Sequence, residues 1–190
     1  MKEYVIEPLD PETWKGTFLP VSYTSDQYYD ISVRRTEDGF DIPIRKRPFD
    51  HPFIHRAEDG AYPDRLYEDW WEDAQAYGII EDGILLAAME VCPEEWSNRL
   101  LITELFVSEP IRHCGYGKKL LTLAKELTMQ KGYRALMLET QSSNVNAIDF
   151  YLHEGFTLIG FDSCCYTNRD PERHEVRFNM GWFPDQQKAG

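Results

Sequence analysis

The stretch Arg112-His113-Cys114-Gly115-Tyr116-Gly117 constrains this chain more than any other. It joins an apolar, strand-like run, Leu100 to Val107, to a helix-like run, Lys118 to Gln130. Two glycines separated by one residue let the backbone turn sharply and let an outside group approach the amides. The loop feeds a helix N-terminus, where amides without intrahelical partners and the helix dipole favour an anion. Arg112, His113, Lys118 and Lys119 form a positive island in a chain of net charge -13. The pattern predicts a cradle for phosphate groups; the bland alternative is an ordinary surface turn. A P-loop needs a wider glycine spacing followed by Lys and Ser or Thr, which Lys118-Lys119 does not supply. The dinucleotide fingerprint needs a small residue where Leu120 stands, although Glu139 imitates its ribose-binding acid.

Composition narrows the classes. A length of 190 residues favours one domain with a real core, and 42% hydrophobic residues argue for a globular chain. Lys plus Arg number 20 against 33 Asp plus Glu, which repels nucleic acid and anionic membranes and attracts cationic ligands. Met1 to Pro8 carries no signal-peptide pattern, and no apolar run approaches the ~20 residues of a membrane span. Cys92, Cys114, Cys164 and Cys165 form neither a zinc pattern nor a disulfide framework, so a cytoplasmic location is expected. His51 and His55 have helical metal-ligand spacing, but Pro52 intervenes and the accompanying Glu is missing; a loop histidine pair and no metal site are expected.

Asp10-Pro11 reads as a helix start. Tyr29–Arg35 and Phe40–Arg45 read as strands joined by a turn at Glu37-Asp38-Gly39, with Pro43 at an edge. Pro48–Pro63 reads as a loop. Asp64–Tyr77 is expected to be a helix stopped by Gly78, its acids Asp64, Glu68, Asp69, Glu72 and Asp73 forming either a solvated face or a wall for a cationic substrate. Tyr77–Glu81, Ile84–Val91 and Arg99–Val107 then make an antiparallel meander turning at Asp82-Gly83. A helix from Gly117 to Lys131, with Leu120, Leu123, Ala124 and Leu127 on one face, crosses to a strand at Tyr133–Thr140, which is therefore expected to lie parallel to Arg99–Val107. Asn144 is a plausible cap of the next helix, which Gly155 ends, and Phe156–Phe161 and Glu175–Met180 are the last strands.

Arg112, Gly115 and Gly117 also fill the pattern Arg/Gln-x-x-Gly-x-Gly/Ala, which resembles the coenzyme A loop of the GNAT N-acetyltransferase superfamily. One strand later, Asn144 through Phe156 resembles that family's second signature, Asn-x-x-Ala-x-x-x-Tyr-x-x-x-Gly-Phe, at every place. The resemblance covers roughly Ile79 to Phe161. Leu136 to Gln141, Ile159 to Asp162, Tyr166-Thr167-Asn168 and Trp96 to Arg99 are similar to the streptothricin acetyltransferase branch. One departure is His113, where Gly is common.

The resemblance implies an α/β GNAT fold: a mixed, mostly antiparallel central sheet flanked by helices and splayed between its two central parallel strands. It implies a single domain over 1–190, in which 1–76 is a divergent N-terminal part shaping the acceptor pocket and 77–182 is the acetyl-CoA-binding core. Acetyl-CoA would be held by Leu105, Phe106, Val107, Arg112, His113, Cys114, Gly115, Tyr116, Gly117, Lys118, Asn144 and Tyr151. Tyr151 matches the family's general acid, against the alternative of a packing tyrosine beside Phe150. A phenol of ordinary pKa near ~10 keeps its proton at neutral pH. Glu104 is either the base or an anchor for the substrate cation; strand alternation sets it on the face of Leu100, Ile102 and Phe106 unless a bulge intervenes. Glu139 and Asp162 are further anchor candidates. The expected reaction is direct acetyl transfer to a small cationic amine, a streptothricin-like antibiotic first, with a polyamine, a protein amine or a non-catalytic acetyl-CoA-binding module as alternatives. No nucleic acid or membrane partner is expected, and a homodimer is a possible assembly.

Overall fold

The computed structural model describes residues 3–58 and 63–184; Met1, Lys2, the 59–62 part of the expected loop and the stretch from 185 on lie outside the described residues. In chain order the elements are β1 (Glu7–Leu9), α1 (Pro11–Trp14), β2 (Tyr23–Ile31), β3 (Arg34–Arg35), β4 (Phe40–Asp41), β5 (Ile44–His55), β6 (Gln75–Glu81), β7 (Ile84–Glu94), β8 (Arg99–Val107), α2 (Tyr116–Gln130), β9 (Ala135–Gln141), α3 (Val145–His153), β10 (Thr157–Asp162), α4 (Asp170–Arg173) and β11 (Arg177–Trp182). Contacts divide the chain into two compact units. The first holds Met1–Val21, Arg56–Leu138 and Trp182–Gly190; the second holds Ser22–His55 and Glu139–Gly181. Strand β9 runs from one into the other.

In the first unit the strand order is β1-β6-β7-β8-β9. The pairings are antiparallel up to β8, and β8–β9 is parallel because α2 crosses between them. The mixed, mostly antiparallel sheet of the sequence reading is therefore present. Asp82 and Gly83 both adopt positive φ, 50° and 78°, the twist that a tight hairpin needs. Helix α2 packs on β7 and β8, burying Tyr116, Leu120, Leu121, Ala124 and Thr128; Leu123 and Leu127 are only half-buried. Thr128 stays satisfied by donating its hydroxyl proton to the Ala124 carbonyl at 2.7 Å.

Two features of β8 position the site. Its parallel register with β9 ends at Ile102↔Leu138, so Thr103 to Val107 has no registered partner on that side. Its antiparallel register with β7 shifts between Glu90↔Glu104 and Val91↔Ile102, leaving Thr103 as the extra residue of a bulge. Cross-strand partners share a face, and neighbours on β7 alternate, so Glu104 lies on the face opposite Leu100 and Ile102. The bulge overturns the simple alternation; only Phe106 remains a face-mate of Glu104.

The expected helix at Asp64–Tyr77 is absent. Tyr67 and Asp73 have φ of 56° and 58°, which a continuous helix excludes, and β6 already begins at Gln75. Leu66 and Tyr67 are instead pinned into a core with Leu9, Leu19, Ala76, Ala88 and Phe106. Gly78 is not a helix stop but a buried residue inside β6. A Cβ there would lie 2.7 Å from the Ala87 carbonyl oxygen and 2.9 Å from Leu9 and Leu85 methyls. Backbone cannot yield as a side chain can, so Gly78→Ala is expected to destabilise the fold by about 1–3 kcal/mol, read as a lower denaturant midpoint at unchanged slope.

In the second unit the end of β9 neighbours β11, which pairs antiparallel with β10. Strands β2 and β5 form a separate ribbon, and β3–β4 a short hairpin closed by Thr36 donating to Gly39 at 2.9 Å. The first half of the expected Pro48–Pro63 loop, through His55 and so with both histidines of the pair, is therefore strand. Proline is tolerated because a two-stranded ribbon leaves one edge without ladder bonds, and Pro52 falls in the register irregularity facing Ser25 to Gln27. Asn144 caps α3 by accepting the Ala147 amide at 3.2 Å, as the sequence suggests.

Candidate active site

The glycine loop lies in the first unit. His113 and Gly115 both occupy left-handed backbone, φ 59° and 86°. That explains why glycine is common at position 113, and histidine is among the side chains that tolerate the region. At the start of α2 the Lys119 amide donates to the Gly115 carbonyl at 3.0 Å. The amides ahead of it, at the first turn of α2, point out of the helix start toward the loop. A Cβ on Gly115 would meet nothing within 4 Å, so the space in front of it is open. Arg112, His113, Cys114, Lys118 and Lys119 surround it at the surface, while Tyr116 is buried. The Tyr116 ring meets Tyr4 edge-on at 5.7 Å, and its hydroxyl accepts the Tyr4 amide at 3.1 Å. Tyr116 therefore anchors the helix start, and the polar groups around it suit a pyrophosphate.

The open edge of β8 leads into this loop. The Ser108 amide donates to Leu86 at 2.8 Å, so Ser108 and Phe106 turn their backbone toward β7. Leu105 and Val107 alternate with them and turn outward, on the side β9 leaves. Val107 accepts the Arg112 Nε at 2.9 Å, tying strand end to loop. Of the three expected backbone contacts, Leu105 and Val107 are presented to an incoming chain of amides, whereas Phe106 is committed to Ala88 and buries its ring.

Glu104 is half-buried and faces an acidic group drawn from β7 and the irregular segment before β6. Burial, and then the charges of Asp64, Glu90 and Glu68, push its carboxyl up to about 9. The sequence pattern puts Asp64 and Glu68 on a helix; the structure brings them to Glu104 from an irregular segment. Glu90, fully buried, is a residue that sequence reasoning passed over. A charged residue inside the apolar run Ile84–Val91 was the available signal.

In the second unit, Tyr151 is buried with its ring 5.5 Å from Phe150 and 6.0 Å from Phe156. Burial pushes its phenol up to about 12. Glu139 and Asp162 both face Arg177, at 3.2 and 3.6 Å. Asp162 also accepts the Cys164 amide at 2.9 Å, which holds its carboxyl below the usual range. These two anchor candidates are thus already engaged by a cation that sequence reasoning did not pair with them. Tyr23, Tyr28, Phe49, Phe53, His55 and His174 form a half-buried aromatic strip along the ribbon, the closest rings being Tyr28 and His174 at 3.8 Å. Reading Pro48–Pro63 as a loop hid its strand face. Among the described residues no group of three His, Cys, Asp or Glu could hold a metal, and no helix is long and apolar enough to cross a membrane.

Residues 43–156 match the acetyltransferase (GNAT) family. The chain is 31% identical to streptothricin acetyltransferase of Escherichia coli over 186 residues, 97% of this chain and 94% of that protein. It is 34% identical to streptothricin acetyltransferase A of Bacillus subtilis (strain 168) over 73 residues, 38% of this chain and 42% of that one. Nourseothricin acetyltransferase superposes with a TM-score of 0.71 at 27% identity, covering 95% of this chain and 98% of that one. A Bacillus anthracis str. Ames protein solved in complex with acetyl coenzyme A gives 0.70 at 19% identity over 95% and 97%, a likeness of fold. The glycine loop at a helix start, the outward amides of β8 and the family match along most of the chain agree: this chain belongs to the GNAT acetyltransferase family and is an acetyl-CoA-dependent N-acetyltransferase.

Proposed function

We propose that the acceptor is a primary amine of a small cationic molecule, a streptothricin-like antibiotic first, acetylated in the cytoplasm by direct attack within a ternary complex. The observation that carries this reading is the acidic face around Glu104, whose carboxyl meets Asp64, Glu90 and Glu68. A group of carboxylates in a chain of net charge -13 attracts an ammonium ion and repels an anionic acceptor. The near full-length similarity to an E. coli streptothricin acetyltransferase points to the antibiotic class.

When bound, acetyl-CoA supplies an activated acyl carbon. The loop Arg112 to Lys118 would hold its phosphates, the outward amides of Leu105 and Val107 its arm, and Asn144 would contact the arm from the start of α3. Glu104 takes a proton from the acceptor amine, and Tyr151 holds a proton at its phenolic oxygen for the departing sulfur. A cation facing Glu104 favours its charged form and pulls its proton affinity down from the level it has alone.

The test is a panel of amines with acetyl-CoA, streptothricin included, followed by thiol release. Cationic amines should be preferred, with a KM that rises with salt as exposed charges are screened over about 8 Å. Below a pH of about 9 Glu104 carries its proton and cannot accept another, so kcat/KM should climb with pH through that region. Glu104→Gln should lower kcat about a hundredfold and remove this limb if the residue is the base. A raised KM at unchanged kcat would make it an anchor instead. Preference for neutral or acidic amines without salt dependence would overturn the cationic acceptor, and efficient turnover of another amine with none of streptothricin would overturn the antibiotic.

A further inference from the structure

We propose that Glu90 is a positioning residue for the transfer reaction: it pins the bulge of β8 that turns Glu104 onto the acidic face. The proposal rests on the reading of Glu104 as the group that meets the acceptor amine.

Both carboxylate oxygens of Glu90 are occupied. One accepts the Tyr67 amide at 2.6 Å, and the other accepts the Thr103 hydroxyl at 2.8 Å. Thr103 is the extra residue of the bulge. Without the bulge, with Thr103 paired in the ladder, Glu104 would fall back onto the face of Ile102, on the opposite side of the sheet. Tyr67 sits at a φ of 56°, so the second bond holds the irregular segment that delivers Asp64 and Glu68. One buried side chain thus fixes the bulge on one side and the acidic segment on the other. A carboxylate fully removed from water is costly to keep, and two short bonds from neutral donors compensate it.

Glu90 and Glu104 are also direct cross-strand partners. Burial raises the carboxyl of Glu90, but its two donors oppose that rise, whereas nothing comparable opposes the rise of Glu104 to about 9, so of the pair Glu104 holds its proton more tightly. The other groups facing the pair are Asp64, Glu68 and the Tyr67 phenol from the irregular segment, the phenol being raised first by burial, and the Cys92 thiol on β7, which donates to the Glu72 carbonyl at 3.0 Å. Cys92 is itself pushed up to about 11, first by burial and then by the charge of Glu90, and so stays neutral.

Two variants separate the parts of the idea. In Glu90→Gln the amide oxygen can still accept from Tyr67 and the amide nitrogen can donate to Thr103, so the bulge survives and the charge is lost. The Glu104 carboxyl, followed by carbon NMR with Glu104→Gln as the assignment control, should then titrate about one pH unit lower, a change of the size that removing a neighbouring like charge gives. In Thr103→Val the shape stays and the pin goes; turnover should fall at least about tenfold, and Thr103→Ser should restore it. An unchanged Glu104 titration in Glu90→Gln, or wild-type turnover in Thr103→Val, would overturn the proposal. A shifted titration with an unmoved pH–rate limb would keep Glu90 in its role and remove Glu104 as the base, so the two readings fail separately. Should Glu90→Gln not fold, the Thr103 pair carries the test alone.

Discussion

Gly117→Glu is expected to lower acetyl-CoA affinity on the order of a hundredfold, about 2.7 kcal/mol, with little effect on folding. Gly117 is the second residue of α2, among the amides that lack an intrahelical acceptor. Its position beside the open space at Gly115 is where backbone N–H groups and the positive end of the helix would meet a phosphate. A glutamate there brings a carboxylate to the same groups, occupies them intramolecularly and repels what they are meant to hold. An acidic residue in the first turn of a helix is otherwise favourable, so thermal unfolding should not suffer. Calorimetric titration of acetyl-CoA into the variant reads the loss, and the unfolding midpoint provides the control. Retained wild-type affinity would remove the cradle from this loop.

The loop was legible because its information is local. Glycine spacing, the cations and the apolar runs on either side lie within a short segment, and the left-handed φ at Gly115 is a backbone requirement that residue type reports directly, whereas the one at His113 is not announced by its side chain. The meander was legible for the same reason: Asp82-Gly83 demands a particular turn, and the flanking runs are apolar enough to be strands. Strand β8 was read with its observed ends, Arg99 and Val107.

What sequence reasoning missed is what distant residues decide. The acids and aromatics of Asp64–Tyr77 have helical spacing, but the buried Glu90 carboxylate takes the Tyr67 amide and the core takes Leu66, and these tertiary demands override the local pattern. The bulge at Thr103 leaves no mark in β8 itself, since its partner lies on β7. Glu139 and Asp162 looked available only because Arg177, far along the chain, was not yet beside them. The prolines of β5 read as breakers because a sequence does not show which strand edge goes without ladder bonds.

Tyr151→Phe is expected to lower kcat about a hundredfold, within the range that general acid catalysis supplies, while acetyl-CoA binding holds. The substitution keeps the ring, and with it the packing on Phe150 and Phe156 at 5.5 and 6.0 Å, so no cavity opens. Only the hydroxyl, and with it the proton donor, is removed. Burial pushes the phenol up to about 12, so wild-type Tyr151 keeps that proton across the whole range in which Glu104 titrates. The acid should then impose no falling limb on the pH–rate profile below about 10. A packing tyrosine and a proton donor make different predictions about the leaving thiol. A donor helps most when the departing sulfur is basic, so acetyl thioesters of more acidic thiols should narrow the gap between the wild-type and Tyr151→Phe enzymes, following Brønsted behaviour. A gap that stays constant across such a series, or no gap where chemistry limits turnover, would return Tyr151 to packing.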